Sequence, residues 1–490
     1  MLCLSLMEKS IEDNLLSFRK YQKFIDLVEL RLDMLDDPTI ISPSKIKILF
    51  PVPIIITFRR KIDGGNFIGT EKYRRLVLYE FSKNNFEYMD LEIDTKFIEV
   101  ENKANLNGIR IIRSYHNFNK VPKNLEKIIR SLSNKVGEIP KVAVFPNNSK
   151  ETLELFKVID SVKDIKDKIV IGMGEYGIPS RILYKRLGSM LSFCSVKDKS
   201  AAPGQLSPEE MNLVYHIKEI NNSTLIFGII GNPVIHSLSP KLHNCAYNRS
   251  GVNAVYIPFK VDDIAVFFNL TKLLTIKGFS VTIPHKIKIL EFLDILSPEI
   301  KTIKSCNTVI RDGNYWKGFN TDQDGFLTPL LPLLNSGNFK TAAVIGAGGA
   351  ARAIISALNS CNIKLTIFNR SVNKGKKLAL ETGSSFIPLT SAKYISTYDI
   401  IIQTTNVGMS PYENESPVPD YVFRKGQIVY DIVYKPEKTK FLKEAEKANA
   451  IVLNGAAMLQ AQGIKQYEIF TGQSFPFESK KLIEEQIANS

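Results

Sequence analysis

Over the first 222 positions, short runs rich in Val, Ile, Leu and Phe alternate with longer stretches in which apolar residues recur at helical spacing. The runs are 2–6, 25–33, 53–59, 86–93, 109–116, 141–145, 168–173 and 191–196. Eight strand-plus-helix units are what a closed parallel (β/α)8 barrel requires. A doubly wound open sheet competes, but no phosphate-type glycine turn follows any of these strands, so the barrel is preferred. Residues 207–222 read as its last helix, and the polar joint 221–224 leads to a new apolar strand at 225–230.

Period two sorts the faces of these strands. Glu29, Arg31 and Asp33 share one side of the second run, while Ile55, Thr57 and Arg59 share a side of the third, with Asp63 just beyond. Charged groups inside a barrel are costly unless they bind a ligand or each other. Ser114 and His116 point the same way, and His116 ends its run, at the rim where such barrels carry chemistry. A lone histidine is as readily a packed or surface residue. Lys141 opens the apolar run KVAVF on the face of Ala143. Desolvated among guanidinium groups, a lysine has a depressed pKa and becomes a nucleophilic amine. The alternative is a solvent-facing lysine at the mouth of a strand.

In the second half, a short strand at 342–345 enters Gly346-Ala347-Gly348-Gly349-Ala350-Ala351 and then a run with helical character. Gly346 permits a tight turn, Gly348 lets backbone approach a pyrophosphate, and Ala351 lets the helix pack close to its strand. The helix N-terminus presents unpaired N–H groups to the anion. Such turns also occur without a ligand. One strand later, where an NAD enzyme places an acid against the ribose, stand Asn369, Arg370 and Ser371, with Lys374 following. An arginine there pairs with a 2′-phosphate, so NADP is the expected cofactor; the alternative is a solvated cluster at a strand end.

Three further stretches carry polar chemistry. Ser237 and Ser239 present two hydroxyls, for a polyhydroxylated ligand or as a helix cap. Lys286 follows Pro284 and is expected near the positive end of a helix that the proline starts, where the dipole disfavours its charge. Asn307 and Asp322 supply an amide and a carboxylate. A lysine beside a carboxylate is a proton-transfer pair or an ordinary surface ion pair.

Composition sets the limits. The 490 residues exceed one ordinary domain, and 44% hydrophobic against 23% charged allows full cores. The net charge of +14 is spread along the chain, which argues for anion-binding pockets and not for a nucleic-acid stripe. Five cysteines without a CxxC pair argue against a disulfide framework and against a metal site. No apolar run approaches the ~18 residues of a membrane span. The first residues read as strand at once, with no signal or transit segment, so the cytoplasm is the expected compartment.

The motifs VELRLD (28–33), TFR (57–59) with DGG (63–65), SYHNF (114–118), PKVAVFP (140–146), SRI (180–182) and APGQ (202–205) resemble, in order, those of type I 3-dehydroquinate dehydratase. The resemblance implies a Schiff base on Lys141 and proton transfer by His116. It also implies substrate binding by Ser5, Glu29, Arg31, Arg59, Asp63, Arg181 and Gln205. Asp63 stands where the family has a glutamate that orients the histidine. Ala201, beside Ser200, stands where it has a serine.

Over 225–490, GNPVIHSLSP, SVTIPHK, CNT, NTDxxG, GAGGAAR, NRS, TTNVGM, DIVYKP and NGAAMLQAQ resemble shikimate dehydrogenase. That resemblance implies acid–base work by Lys286 and Asp322. Ser237, Ser239, Thr282, Asn307, Tyr434 and Gln462 would hold substrate. Gly346, Ala347, Gly348, Gly349, Ala350, Asn369, Arg370, Ser371, Lys374 and Gly455 would touch NADP. The expected architecture is α/β: a (β/α)8 barrel at 1–222, then a two-lobed dehydrogenase. Its parts are a substrate lobe at 225–335, a Rossmann NADP-binding lobe at 336–452 and C-terminal helices at 453–490 that return to the substrate lobe. The whole resembles the fused dehydratase and dehydrogenase of the shikimate pathway, with 3-dehydroquinate, 3-dehydroshikimate and shikimate as ligands. Open alternatives are a quinate-preferring second half, a barrel weakened through Asp63 and Ala201, and a metabolite-sensing regulator derived from such enzymes.

Overall fold

A computed structural model of the chain describes residues 1–39, 42–133, 137–196, 202–419 and 421–476. Ser200 and Ala201 lie outside the described residues. Contacts divide the chain into two compact units: Met1–Ile226 with Asn253–Ile276, and Phe227–Val252 with Lys277–Ser490.

In the first unit, strands β1 (Leu2–Leu6), β2 (Leu27–Arg31), β3 (Ile54–Thr57), β4 (Tyr88–Glu92), β5 (Arg110–Asn117), β6 (Ile139–Val144), β7 (Ile169–Gly172) and β8 (Ser192–Ser195) form one sheet. Its order is β7-β6-β5-β4-β3-β2-β1-β8, and every pair is parallel. The seam closes at a parallel bridge between Lys168 and Ser189, where the Met190 N–H donates to the Lys168 carbonyl at 2.7 Å. This is the expected barrel.

The side-chain period turns this sheet into a site. Cys3, Leu27, Ile55, Ile112, Ile139, Ile169 and Leu191 form one apolar cluster. Two residues further along the strands, on the same face, come Ser5, Glu29, Thr57, Ser114 and Lys141. The register pairs Ser5 with Glu29 and Ser114 with Lys141, which levels the polar layer over its apolar floor.

Two expectations in this unit need correction. β2 ends at Arg31, and Leu32–Met34 makes a 3₁₀ turn that swings Asp33 back against Arg31. The long helix expected over 207–222 is a short π-helical turn, Glu210–Val214. There the Asn212 amide donates to the Pro208 and Phe24 carbonyls, competing with a regular helix.

The rest of the chain carries two further sheets. Strands β9 (Leu225–Gly231), β10 (Ala254–Lys260), β11 (Ile276–Val281), β12 (Ile295–Leu296), β13 (Thr308–Asp312) and β14 (Tyr315–Phe319) run in the order β10-β9-β11-β13-β14-β12. Strands β15 (Thr341–Ile345), β16 (Lys364–Asn369), β17 (Ser385–Pro388), β18 (Ile400–Gln403), β19 (Ile428–Asp431) and β20 (Ile451–Leu453) run β17-β16-β15-β18-β19-β20, all parallel. The order reverses at β15, and open α/β sheets bind ligands at such a switch point. The helix Gly455–Thr471 returns to the helix Asp322–Ser336, where a Cβ on Gly325 would lie 2.7 Å from the Gln462 side chain. No α-helix starts at Pro284: the chain turns through Lys286 and a 3₁₀ segment follows at Lys288–Phe292, so the proline does not put Lys286 in the first turn of its own α-helix.

Candidate functional site

The polar layer of the barrel is a connected network. Glu29 accepts from the Ser5 and Thr57 hydroxyls at 2.9 and 3.0 Å. Lys141 Nζ donates to Asp90 Oδ2 at 2.8 Å, lies 3.6 Å from Glu29 Oε1, and sits 4.3 Å above the centroid of the Phe193 ring. Arg59 reaches Asp90 at 2.8 Å and Glu92 at 3.2 Å, and donates to the Ser114 hydroxyl at 2.8 Å. Arg31 makes a two-pronged pair with Asp33 at 2.9 and 2.7 Å. Burial pushes the Asp90 carboxyl up, but the charges of Arg59 and Lys141 outweigh it and hold the group well below the usual carboxylate range. The direct neighbours of Lys141 are therefore carboxylates, where guanidinium groups were expected.

Arg181 differs from the other cations. It is buried, its Nε has no hydrogen-bond partner, and among the described residues its guanidinium donates only to the Pro203 carbonyl, from Nη2 at 3.3 Å. Burial pushes its guanidinium down to about 10. A buried cation without an anion is a receptor for one. Burial, then the charge of Arg59 and that of Lys141, hold His116 well below its ordinary value, which leaves a neutral imidazole. Arg181, Gln205, His116 and Lys141 line one pocket with Glu29, Arg31 and Arg59.

Asp63 also borders this pocket but does not orient the histidine. Its carboxylate accepts from Arg60 Nε at 2.6 Å, and His116 Nδ1 is buried without a partner. The cause is local: Lys61–Asp63 is a 3₁₀ turn that brings Asp63 over Arg60 three residues back.

Sequence reasoning missed Asp90, which ties Lys141 to Arg59, and Glu92, which ties Arg59 to Arg74. The signal was present: in YMDLE of β4 the two acids alternate with buried Met89 and Leu91. The same period had exposed Glu29 and Arg31.

In the second unit Lys286 Nζ pairs with Asp322 Oδ2, while Asp322 Oδ1 accepts from the Asn307 amide at 2.8 Å. Asn307 also meets Gln462 Oε1 at 3.4 Å. Asp322 is buried at the first position of its helix, so this is not a surface ion pair. Tyr434 is hydrogen-bonded to Ser237, and burial pushes its phenol up. The Ser237 hydroxyl accepts from the Ser239 N–H at 3.2 Å in a local turn, while the helix Ser239–Ser250 has Leu238 at its N-cap and no side-chain cap bond, so neither serine caps it. Thr282, just past β11, donates its N–H to the Ile230 carbonyl at 2.9 Å.

The nucleotide turn has the shape read from sequence. Gly346 takes φ +119°, and a Cβ there would lie 2.3 Å from Thr404 Oγ1. At Gly348 nothing lies within 4 Å of a Cβ, so backbone faces open space, and the helix Gly349–Ser360 has no side-chain cap on its first N–H groups. Arg370, Ser371 and Lys374 are exposed beyond β16, and Asn369 donates to the Ser371 carbonyl at 2.8 Å. At Gly455 a Cβ would lie 2.0 Å from the Ile432 carbonyl oxygen. These features fit a dinucleotide with a 2′-phosphate. A Cβ on Gly349 would lie 2.7 Å from Lys286 Cβ, so the first residue of this helix rests on the lysine stem.

Residues 2–222 match the family described as type I 3-dehydroquinase. Residues 229–309 match the shikimate dehydrogenase substrate binding domain, and 333–431 the shikimate / quinate 5-dehydrogenase family. A chloroplastic bifunctional 3-dehydroquinate dehydratase/shikimate dehydrogenase of Arabidopsis thaliana is 31% identical over 98% of this chain and 83% of its own length. A shikimate biosynthesis protein of Chlamydia pneumoniae is 29% identical over 96% and 95%. The crystal structure of a shikimate dehydrogenase from Aquifex aeolicus has a TM-score of 0.51 at 35% identity and covers 54% of this chain and 99% of its own.

Proposed function

The chain belongs to the bifunctional 3-dehydroquinate dehydratase/shikimate dehydrogenase family, and from that membership we propose which residues carry each reaction. It dehydrates 3-dehydroquinate to 3-dehydroshikimate and reduces that product to shikimate with NADPH. We assign the first step to 1–222, substrate and nucleotide binding in the second to 225–335 and 336–452, and the closing of the substrate lobe to the helix within 453–476; residues 477–490 lie outside the described residues.

One observation carries the dehydratase reading: Lys141 is buried on the floor of a polar pocket that also holds the anion-free Arg181 and a neutral His116. Arg181 takes the substrate carboxylate. Lys141 attacks the ketone and the adduct loses water to form the imine, with Glu29 beside it to accept and return protons and Asp90 holding the ammonium in place beforehand. His116, neutral and within the same pocket, takes the proton next to the imine and returns it to the departing hydroxyl. Ser5, Glu29, Arg31, Arg59 and Gln205 bind the ring substituents.

In the second half Lys286 and Asp322 hold and deliver the proton at the carbonyl oxygen, and Asn307 keeps the carboxylate turned to the lysine. Ser237, Ser239, Thr282, Tyr434 and Gln462 hold ring hydroxyls and carboxylate. Gly346 to Ala350, with Gly455, form the cradle of the dinucleotide, and Asn369, Arg370, Ser371 and Lys374 select the 2′-phosphate. When bound, NADPH supplies the hydride. All five cysteines are free, which suits the cytoplasm as compartment, and no helix among the described residues is long and apolar enough to cross a membrane.

Borohydride reduction in the presence of 3-dehydroquinate tests the first reading: substrate mass is expected on the peptide bearing Lys141, and its absence from the wild-type chain refutes the reading. Lys141→Ala is the control. Lys286→Met is expected to lower the kcat of shikimate oxidation by about 10²–10³-fold with trapping at Lys141 intact. An unchanged kcat refutes the second assignment.

A further inference from the structure

The loop that follows β3 was expected to orient His116 through a carboxylate, and it does not. Asp63 is held by Arg60, whose Nη1 and Nη2 also donate to Asp94 at 3.2 and 2.7 Å. What does touch the imidazole is the ring of Phe118, two residues on and therefore on the same side of the chain. The two rings are near parallel, at 13°, with centroids 6.2 Å apart. Phe118 is backed in turn by backbone: at Gly64, φ +79°, a Cβ would lie 2.2 Å from Phe118 Cζ. The neighbouring Gly65 is pressed on the Arg59 carbonyl oxygen, where a Cβ would come within 2.2 Å, so this stretch of loop has no room to retreat. With its Nδ1 unpartnered, the imidazole has no directed bond there to fix its rotation. The stack against Phe118 and Gly64 limits that rotation instead.

We propose that Phe118, seated on Gly64, is the positioning residue that sets the ring plane of His116 for proton transfer in this chain, in place of the loop carboxylate. It rests on the dehydratase reading of the barrel. Phe118 borders the same pocket but brings no polar group to it and touches neither Lys141 nor the carboxylate receptor Arg181 in the contacts above, so its loss acts chiefly on the proton-transfer step and spares imine formation. Misplacing a general base by a fraction of an ångström costs about 10- to 100-fold in rate.

The test uses the full chain. Phe118→Leu and Gly64→Ala are expected to lower the kcat of dehydration about 10- to 100-fold, with KM within about threefold and borohydride still trapping substrate on Lys141. Phe118→Tyr, which keeps the ring, is expected to restore most of the rate, and Asp63→Asn to cost several-fold less than Phe118→Leu. Thermal midpoints within a few degrees of wild type for Phe118→Leu exclude a fold defect at this 37% exposed side chain. An unaffected kcat in Phe118→Leu, or an equal loss in Asp63→Asn, overturns the proposal alone. No trapping on the wild-type chain overturns the dehydratase reading and the proposal with it.

Discussion

Replacing Arg181 by methionine separates binding from stability. The guanidinium is buried and among the described residues has one hydrogen bond, to the Pro203 carbonyl. Burial pushes it down to about 10. At ~1.4 kcal/mol per pH unit, that depression means the charge costs the folded state about 3 kcal/mol. For a cation lowered in the fold the cost is full below that value and is relieved only as pH rises through it, so at neutral pH it is present in full. Arg181→Met keeps most of the stem and removes the charge together with the bond to Pro203, leaving a net stabilisation of about 1–2 kcal/mol. For a unit of this size that raises the midpoint of thermal unfolding by about 3–6 °C without ligand. The same change removes the partner of the substrate carboxylate, and KM for 3-dehydroquinate is expected to rise about 10²–10³-fold. Differential scanning calorimetry and steady-state dehydration kinetics read the two effects. A variant that melts several degrees below wild type, or one whose KM stays within about threefold, refutes the reasoning.

Two other outcomes are expected. Burial pushes the Asp431 carboxyl up to about 7, while it accepts from the Val433 N–H and the Thr439 hydroxyl. The stability it contributes is therefore full in acid and is lost as pH rises from about 4 through 7. Between pH 5 and 8 the unfolding free energy of wild type is expected to fall by about 2 kcal/mol more than that of Asp431→Asn, and equal falls measured by urea titration would count against it. Gly346→Ala demands a left-handed alanine and a displaced Thr404, a strain of about 1–3 kcal/mol at the nucleotide turn. NADPH affinity, read by fluorescence titration, is expected to drop about 5- to 100-fold while trapping at Lys141 persists.

The barrel was legible because its strands alternate, and alternation also exposed Glu29, Arg31 and Lys141. Asp90 and Glu92 obey the same rule in β4, yet their meaning depends on which strand lies beside them, and that is a matter of register. The pairing of Asp63 with Arg60 was hidden because a 3₁₀ turn, and no periodic element, sets which side chain faces which. Lys286 was expected at a helix start from Pro284 alone. Tertiary contact decided otherwise, since its partner Asp322 lies 36 residues on. The glycine turn was legible in detail because φ and close approach are properties of single residues. That contacts place Asn253–Ile276 with the first unit follows from distant packing, which no local pattern records.

The contact between Gly349 and the stem of Lys286 gives one side chain two duties. Its ammonium faces a carboxylate, while its methylenes act as a doorstop for the helix that begins at Gly349. Shortening the lysine takes away the stop as well as the charge. A methionine leaves the doorstop nearly whole, which makes it the cleaner probe of what the charge alone achieves.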